Sequence, residues 1–219
     1  HTIYEGKWKE LGKHISNIIS LSPEEKVINS IPVYNFDEER YITSFTKNGM
    51  IKRTLLNEFK VQRYSKPIKM MNLKGTDEVI SVTDSTLSNV FIATSNGYGL
   101  WYDINEVPVV GIKAAGVKAI SLKDDYVVSG ILFDVAREYL TILTDKGTAK
   151  RMRLTELEKT SRAKRGILLM KTIKSNPSKI IKAYIINSKN QIGIVSDDYS
   201  KIVKLTEISI MDRYSNGSY

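Results

Sequence analysis

Short apolar, β-branched runs recur along the chain: ITSF (42–45), FIAT (91–94) and LTIL (140–143). Each leads into two variable residues and a glycine, and then into a second half-apolar run such as MIKRTLL (50–56) or TAKRMRL (148–154). This alternation predicts β-hairpins, with the glycine supplying the positive φ that a tight turn requires. In TAKRMRL the basic residues partly alternate with apolar ones, which predicts basic side chains sharing a strand face. No convincing helical periodicity of any length is present.

The hairpins are copies of one another. Four copies align: 41–59, 89–107, 139–157 and 190–208. Their anchors Thr46, Thr94, Thr144 and Ser196 lie 48, 50 and 52 residues apart, and Glu58, Glu106, Glu156 and Glu207 close them. The fourth copy is one residue short and has Tyr199 where the others have Gly49, Gly97 and Gly147. A second shared unit lies between the hairpins, in IKMMNLKGTDEVISV (68–82), GVKAISLKDDYVVSG (116–130) and ILLMKTIKSNPSKIIKAY (167–184), with HISNIISLSPEEKVINSI (14–31) before the first hairpin. Each reads as strand, polar turn, strand. Four strands per repeat of about 50 residues predict an all-β, propeller-like array in which stacked blades bury one another's faces. The expected organisation is a single domain over 1–219, with approximate blades 1–59, 60–107, 108–157 and 158–208 and a tail at 209–219. The pattern is not that of WD40 or kelch repeats, and Trp8 and Trp101 are not at equivalent positions.

Composition narrows the chemistry. The chain of 219 residues has no cysteine, which removes disulfides, thiolate zinc sites and thiol nucleophiles. With only His1 and His14, a histidine triad or metal cage is not expected, and Asp124-Asp125 and Asp197-Asp198 read as turn polarity. There is no GxxxxGK[ST] or GxGxxG. No cofactor is expected. There is no run of eighteen apolar residues, and the N-terminus lacks an apolar signal core, so neither a membrane span nor a secretory leader is expected.

Charge changes the picture most. The net charge is +9, concentrated in two segments. Residues 46–74 and 150–174 each carry a net +7, whereas 75–149 carry −5 and the first forty residues −2. Two such segments at matching repeat positions would build a continuous positive surface suited to polyphosphate. Candidate contacts are Lys47, Lys52, Arg53, Lys60, Arg63 and Lys66 in the first segment. In the second they are Lys146, Lys150, Arg151, Arg153, Arg162, Lys164 and Arg165, with Lys113 and Lys118 as a bridge. The second hairpin has Leu100-Trp101 where its neighbours have Lys-Arg, which predicts weaker contact at that blade. A protein-interaction module, with the basic residues spread over both faces, and an enzyme with a central-channel site remain open alternatives. The copies show no convergent acidic or histidine positions for the second.

Several segments together, TKNGMIKRT (46–54), QRYSK (62–66), GYGLW (97–101), GVKAISLKDD (116–125), SRAKRG (161–166) and DRYSNGS (212–218), resemble the C-terminal domains of the A subunits of bacterial DNA topoisomerase IV, of the type found in Bacillus and Staphylococcus. The gyrase A subunit carries a related domain. The resemblance implies a β-pinwheel, whose strand order differs from a true propeller, and a positively charged rim that binds and bends duplex DNA. Gyrase's heptapeptide QRRGGKG is not found; KVQRYSK (60–66) keeps Gln62-Arg63 without a glycine pair. That implies the topoisomerase IV role, decatenation and relaxation, over gyrase-type wrapping. It also implies that the catalytic tyrosine and the ATPase lie outside this chain. Double-stranded DNA, the rest of the topoisomerase IV A subunit and, through it, the B subunit are the implied partners, in the cytoplasm on the bacterial chromosome.

Overall fold

A computed structural model of the chain describes residues 5–62 and 67–219. The repeats fold as antiparallel hairpins: β1 (Tyr41–Thr46) with β2 (Met50–Leu55), β4 (Asn89–Thr94) with β5 (Tyr98–Asp103), β8 (Tyr139–Thr144) with β9 (Ala149–Arg153), and β12 (Gln191–Val195) with β13 (Ser200–Lys204). The anchor threonine has a specific job. Its hydroxyl accepts the N–H four residues on, from Met50 to Thr46 (3.0 Å), Tyr98 to Thr94 (3.1 Å) and Thr148 to Thr144 (3.2 Å). The glycine N–H bonds the same threonine's carbonyl at 3.1 Å in all three, with φ of +82°, +90° and +76°. The NEF, NE and TE endings become 3₁₀ turns at Leu56–Phe59, Ile104–Glu106 and Leu154–Glu156, and Leu205–Glu207 does the same in the fourth copy.

The remaining strands are β3 (Val79–Thr83), β6 (Val117–Lys118), β7 (Val127–Phe133), β10 (Ile167–Leu168) and β11 (Ile180–Ile186). They do not all join the hairpin nearest in sequence. The first sheet has the order β3-β1-β2-β6 and the second β10-β5-β4-β7. β3 and β7 follow their own hairpins and pair beside β1 and β4. The fourth strand, β6 or β10, comes from beyond the next hairpin and adds to the far edge. This exchange of one strand between repeats makes the fold an all-β pinwheel. The third sheet is β11-β8-β9, with Ser218 bridging Ala149 at the position of the missing fourth strand, and the fourth sheet contains β12 and β13.

Stacking buries both faces of the central strands. All six residues of β4 are buried. The apolar clusters sit between blades: Phe45, Ile51, Val90, Ile92 and Leu100 between the first two, and Phe91, Phe133, Leu140, Ile142 and Met152 between the next two. β3 and β11 both pack against β7. The inner strands therefore line the axis, and the opposite sheet edges form the outer perimeter.

Candidate nucleic-acid interface

The outer edge of each of the first three blades is a segment lent by the following repeat. Residues 107–118 run along β2, 157–168 along β5 and 208–218 along β9. The corresponding backbone bonds are Val110 N–H to Arg53 O (2.9 Å), Thr160 N–H to Trp101 O (2.8 Å) and Met211 N–H to Arg151 O (2.8 Å). Near its end each segment has a glycine of positive φ, as at Gly166 (+83°), against the backbone of the strand it joins. Glu106 and Glu156, two of the repeat-closing acids, hold these segments by accepting the N–H of Arg162 (2.7 Å) and Arg213 (3.0 Å). Asp125 likewise serves a turn, accepting the N–H of Asn96 at 2.9 Å.

This architecture sorts the candidate cations. Lys52 and Lys150 occupy the same hairpin position and point inward, 1% and 2% exposed. The Lys52 ammonium donates to Met70 O (2.6 Å) and Ile112 O (2.8 Å). Lys150 donates to Asp212 O (2.8 Å), Arg213 O (3.0 Å) and Ser215 O (2.6 Å). Burial lowers both pKa values, that of Lys150 to about 8, with Asp212 and Glu156 opposing the fall. Arg151 is also buried; its Nε donates to Ile208 O (2.7 Å) and its guanidinium lies 4.8 Å from the Tyr139 ring. These three do not reach the surface. Lys150 shares the Met152 face of β9, opposite Arg151 and Arg153, so the basic side chains of that strand do not share one face. The buried lysines instead hold edge segments in place from inside. In the second blade Leu100 takes that position, and Arg162 holds its own segment by donating to Glu106 O (2.9 Å) and Lys118 O.

Other candidates are engaged at the surface. Lys47 pairs with Glu78 (2.7 Å), which raises its pKa, and Lys60 pairs with Asp37 (2.6 Å). Arg53 lies 4.0 Å from the Tyr41 ring, a cross-strand pair repeated by Arg151 and Tyr139 and replaced in the second blade by Trp101 donating to Asn89 (3.0 Å). Lys146 is half-buried beside the turn. Arg63 and Lys66 lie outside the described residues.

The remaining cations lie on or beside the edge segments. Lys113 and Lys118 are exposed on the first blade's edge segment. On the second's, Lys164 and Arg165 are exposed and Arg162 is half-buried; Arg153 is exposed at the end of β9. Two of these segments touch: Ser121 N–H bonds Lys164 O (2.9 Å), Ala163 N–H bonds Ala119 O (3.1 Å), and Lys118 reaches Ser121 Oγ (3.2 Å). Lys118, Arg162 and Lys164 thus meet where one blade's edge passes to the next. The second blade, read from Leu100-Trp101 as poor in cations, receives Arg162, Lys164 and Arg165 from the following repeat. Arg213, 4.7 Å from the Tyr214 ring, holds the corresponding place on the third blade. Sequence reasoning missed it, although aligning SRAKRG with DRYSNG would have found it.

A model of the DNA gyrase C-terminal domain, β-propeller, matches residues 40–83, 88–133 and 138–187, each span beginning at a hairpin and ending with its inner strand. The chain belongs to this family. Over its whole length it is 42% identical to the A subunit of DNA topoisomerase 4 from Bacillus subtilis and 34% identical to that from Staphylococcus epidermidis, of which it spans 27% and 28%. The chain therefore spans little more than a quarter of these curated relatives. A crystal structure of the C-terminal domain of DNA topoisomerase IV superposes with a TM-score of 0.92 at 41% identity, covering 97% of this chain and 67% of that one. No helix among the described residues is long and apolar enough to cross a membrane.

Proposed function

We propose that the chain is the duplex-DNA-binding and bending part of a topoisomerase IV A subunit. Through its basic perimeter it would guide the engagement of DNA for decatenation and relaxation. The observation that carries this reading is the junction of Lys118, Arg162 and Lys164, where the cationic edges of two successive blades join. Each of these side chains donates to a carbonyl or hydroxyl oxygen rather than to a carboxylate. Phosphates along a duplex are a dense line of charge, and lysine and arginine neutralise them with little regard to sequence. A track following the curved perimeter bends whatever follows it. Bending 20–30 bp by 40–90° costs roughly 1–6 kcal/mol, which about 6–10 phosphate contacts can supply. The partners on this reading are double-stranded DNA, the rest of the A subunit and, through it, the B subunit, on the bacterial chromosome in the cytoplasm.

The test is a salt titration on a duplex of about 40 bp carrying energy-transfer dyes at both ends. Binding that weakens steeply with salt, with the ends drawing together, supports the proposal. Binding without end approach removes bending. No binding at low salt overturns the DNA reading and favours a protein-interaction module.

A further inference from the structure

Beside the edge of the second blade an open cavity of about 270 Å³ lies between β5, β10 and the loop entering β11. Arg165 lies across the ring of Tyr98 with its guanidinium carbon 4.2 Å from the ring centroid. Lys179 also lines it, its ammonium 3.3 Å from Asn96 Oδ1, and Thr172 forms part of the wall. Among the described residues no carboxylate lines the cavity. The nearby Asp145 is occupied by Lys179 N–H (2.8 Å) and Ser178 Oγ (3.2 Å), bonds that lower its pKa.

Stacking orients a guanidinium plane and leaves its N–H edges available for oxygen. An arginine held this way, with a second cation at one small cavity, suits a tetrahedral oxyanion. The arrangement is particular to this blade. The residues after the turn glycine and before the edge glycine are Met50 and Ala115 in the first blade, Thr148 and Asn216 in the third, and Tyr98 and Arg165 only here.

We propose that this cavity seats one phosphodiester of the bound duplex. Arg165 forks two hydrogen bonds onto its oxygens, and Lys179 adds a second positive charge. The site gives the second blade a fixed phosphate register, while the exposed lysines of the edges supply adaptable contacts. The inference rests on the DNA-binding reading above.

The test compares the salt dependence of duplex binding by the full chain and its variants. Each neutralised phosphate contributes about 0.9 to the slope of log K against log salt. The Arg165→Gln, Lys179→Gln double variant is expected to lower the slope by about 1, with each single variant lowering it by no more than that, because both cations serve one phosphate. Lys164→Gln, outside the cavity, is the control. An unchanged slope in the double variant, with Lys164→Gln still lowering it, overturns the cavity and leaves the DNA reading standing. A fall of about 2 in the double variant also overturns it, since two separate phosphates would then be contacted. No salt-dependent binding by the unaltered chain overturns both readings.

Discussion

Gly130, in the middle of β7, leaves open the space that the Phe45 ring of the neighbouring blade fills. A Cβ at Gly130 would stand 2.2 Å from Phe45 Cγ and 2.3 Å from Cδ1. Phe45 is 1% exposed, and Ser81 of β3 donates to the Gly130 carbonyl at 3.2 Å, so ring and backbone are fixed together at the joint. A glycine inside a strand costs chain entropy. Here the cost is offset by a close approach of two blades.

Gly130→Ala should therefore destabilise the chain by about 2 kcal/mol or more, through overpacking that a dense interior cannot absorb. Urea denaturation measures it. Adding Phe45→Leu should recover part of the loss, because the smaller side chain makes room for the methyl group. A double variant as unstable as the sum of both singles would show that the two residues do not share this space.

Lys150→Met should cost roughly 2–3 kcal/mol, since three carbonyls lose their donor. The pH dependence carries a sign. The folded-state pKa is about 8 against an ordinary 10.5, so between those values the unfolded chain keeps a proton that the folded chain has released. Stability then rises with pH across that window. Wild type should gain on Lys150→Met in urea titrations as pH rises from about 8 to about 10. Parallel pH profiles would mean that the three carbonyls fully compensate the ammonium's burial.

Lys52 and Lys113 separate charge from position. Lys113→Gln should lower the salt slope of DNA binding by about 1 and leave thermal melting unchanged. Lys52→Gln should lower the melting temperature while binding per folded molecule keeps its slope. Measuring both properties on both variants decides between an exposed and an enclosed role for each.

Thr94→Val should cost about 1 kcal/mol in thermal or urea unfolding, because the Tyr98 N–H in a tight turn loses its acceptor. The fold should survive, as valine keeps the shape and the β preference of threonine.

The repeat itself was legible. Thr46, Thr94 and Thr144 stand where the turn needs a hydroxyl acceptor, and Gly49, Gly97 and Gly147 where it needs positive φ; both requirements are local, so their spacing exposed the hairpins. Charge alone put Lys113, Lys118, Lys164 and Arg165 among the candidate contacts, and they are exposed on the blade edges. Lys52 and Lys150 were read the same way, because a lysine facing a neighbouring blade and a lysine facing water are the same letter.

The chain's own order of residues thus determined the period, the all-β class, the hairpin turns and the concentration of positive charge. Tertiary structure decided which blade owns which charge. Ile112 lies sixty residues beyond Lys52 and accepts a hydrogen bond from its ammonium, and Ile167 and Leu168, just after Arg162 to Arg165, close a sheet whose hairpin ended at Asp103. Such pairings depend on a strand crossing to the preceding repeat and on both faces of each sheet being covered. These are long-range packing events, and no local pattern of residues encodes their outcome.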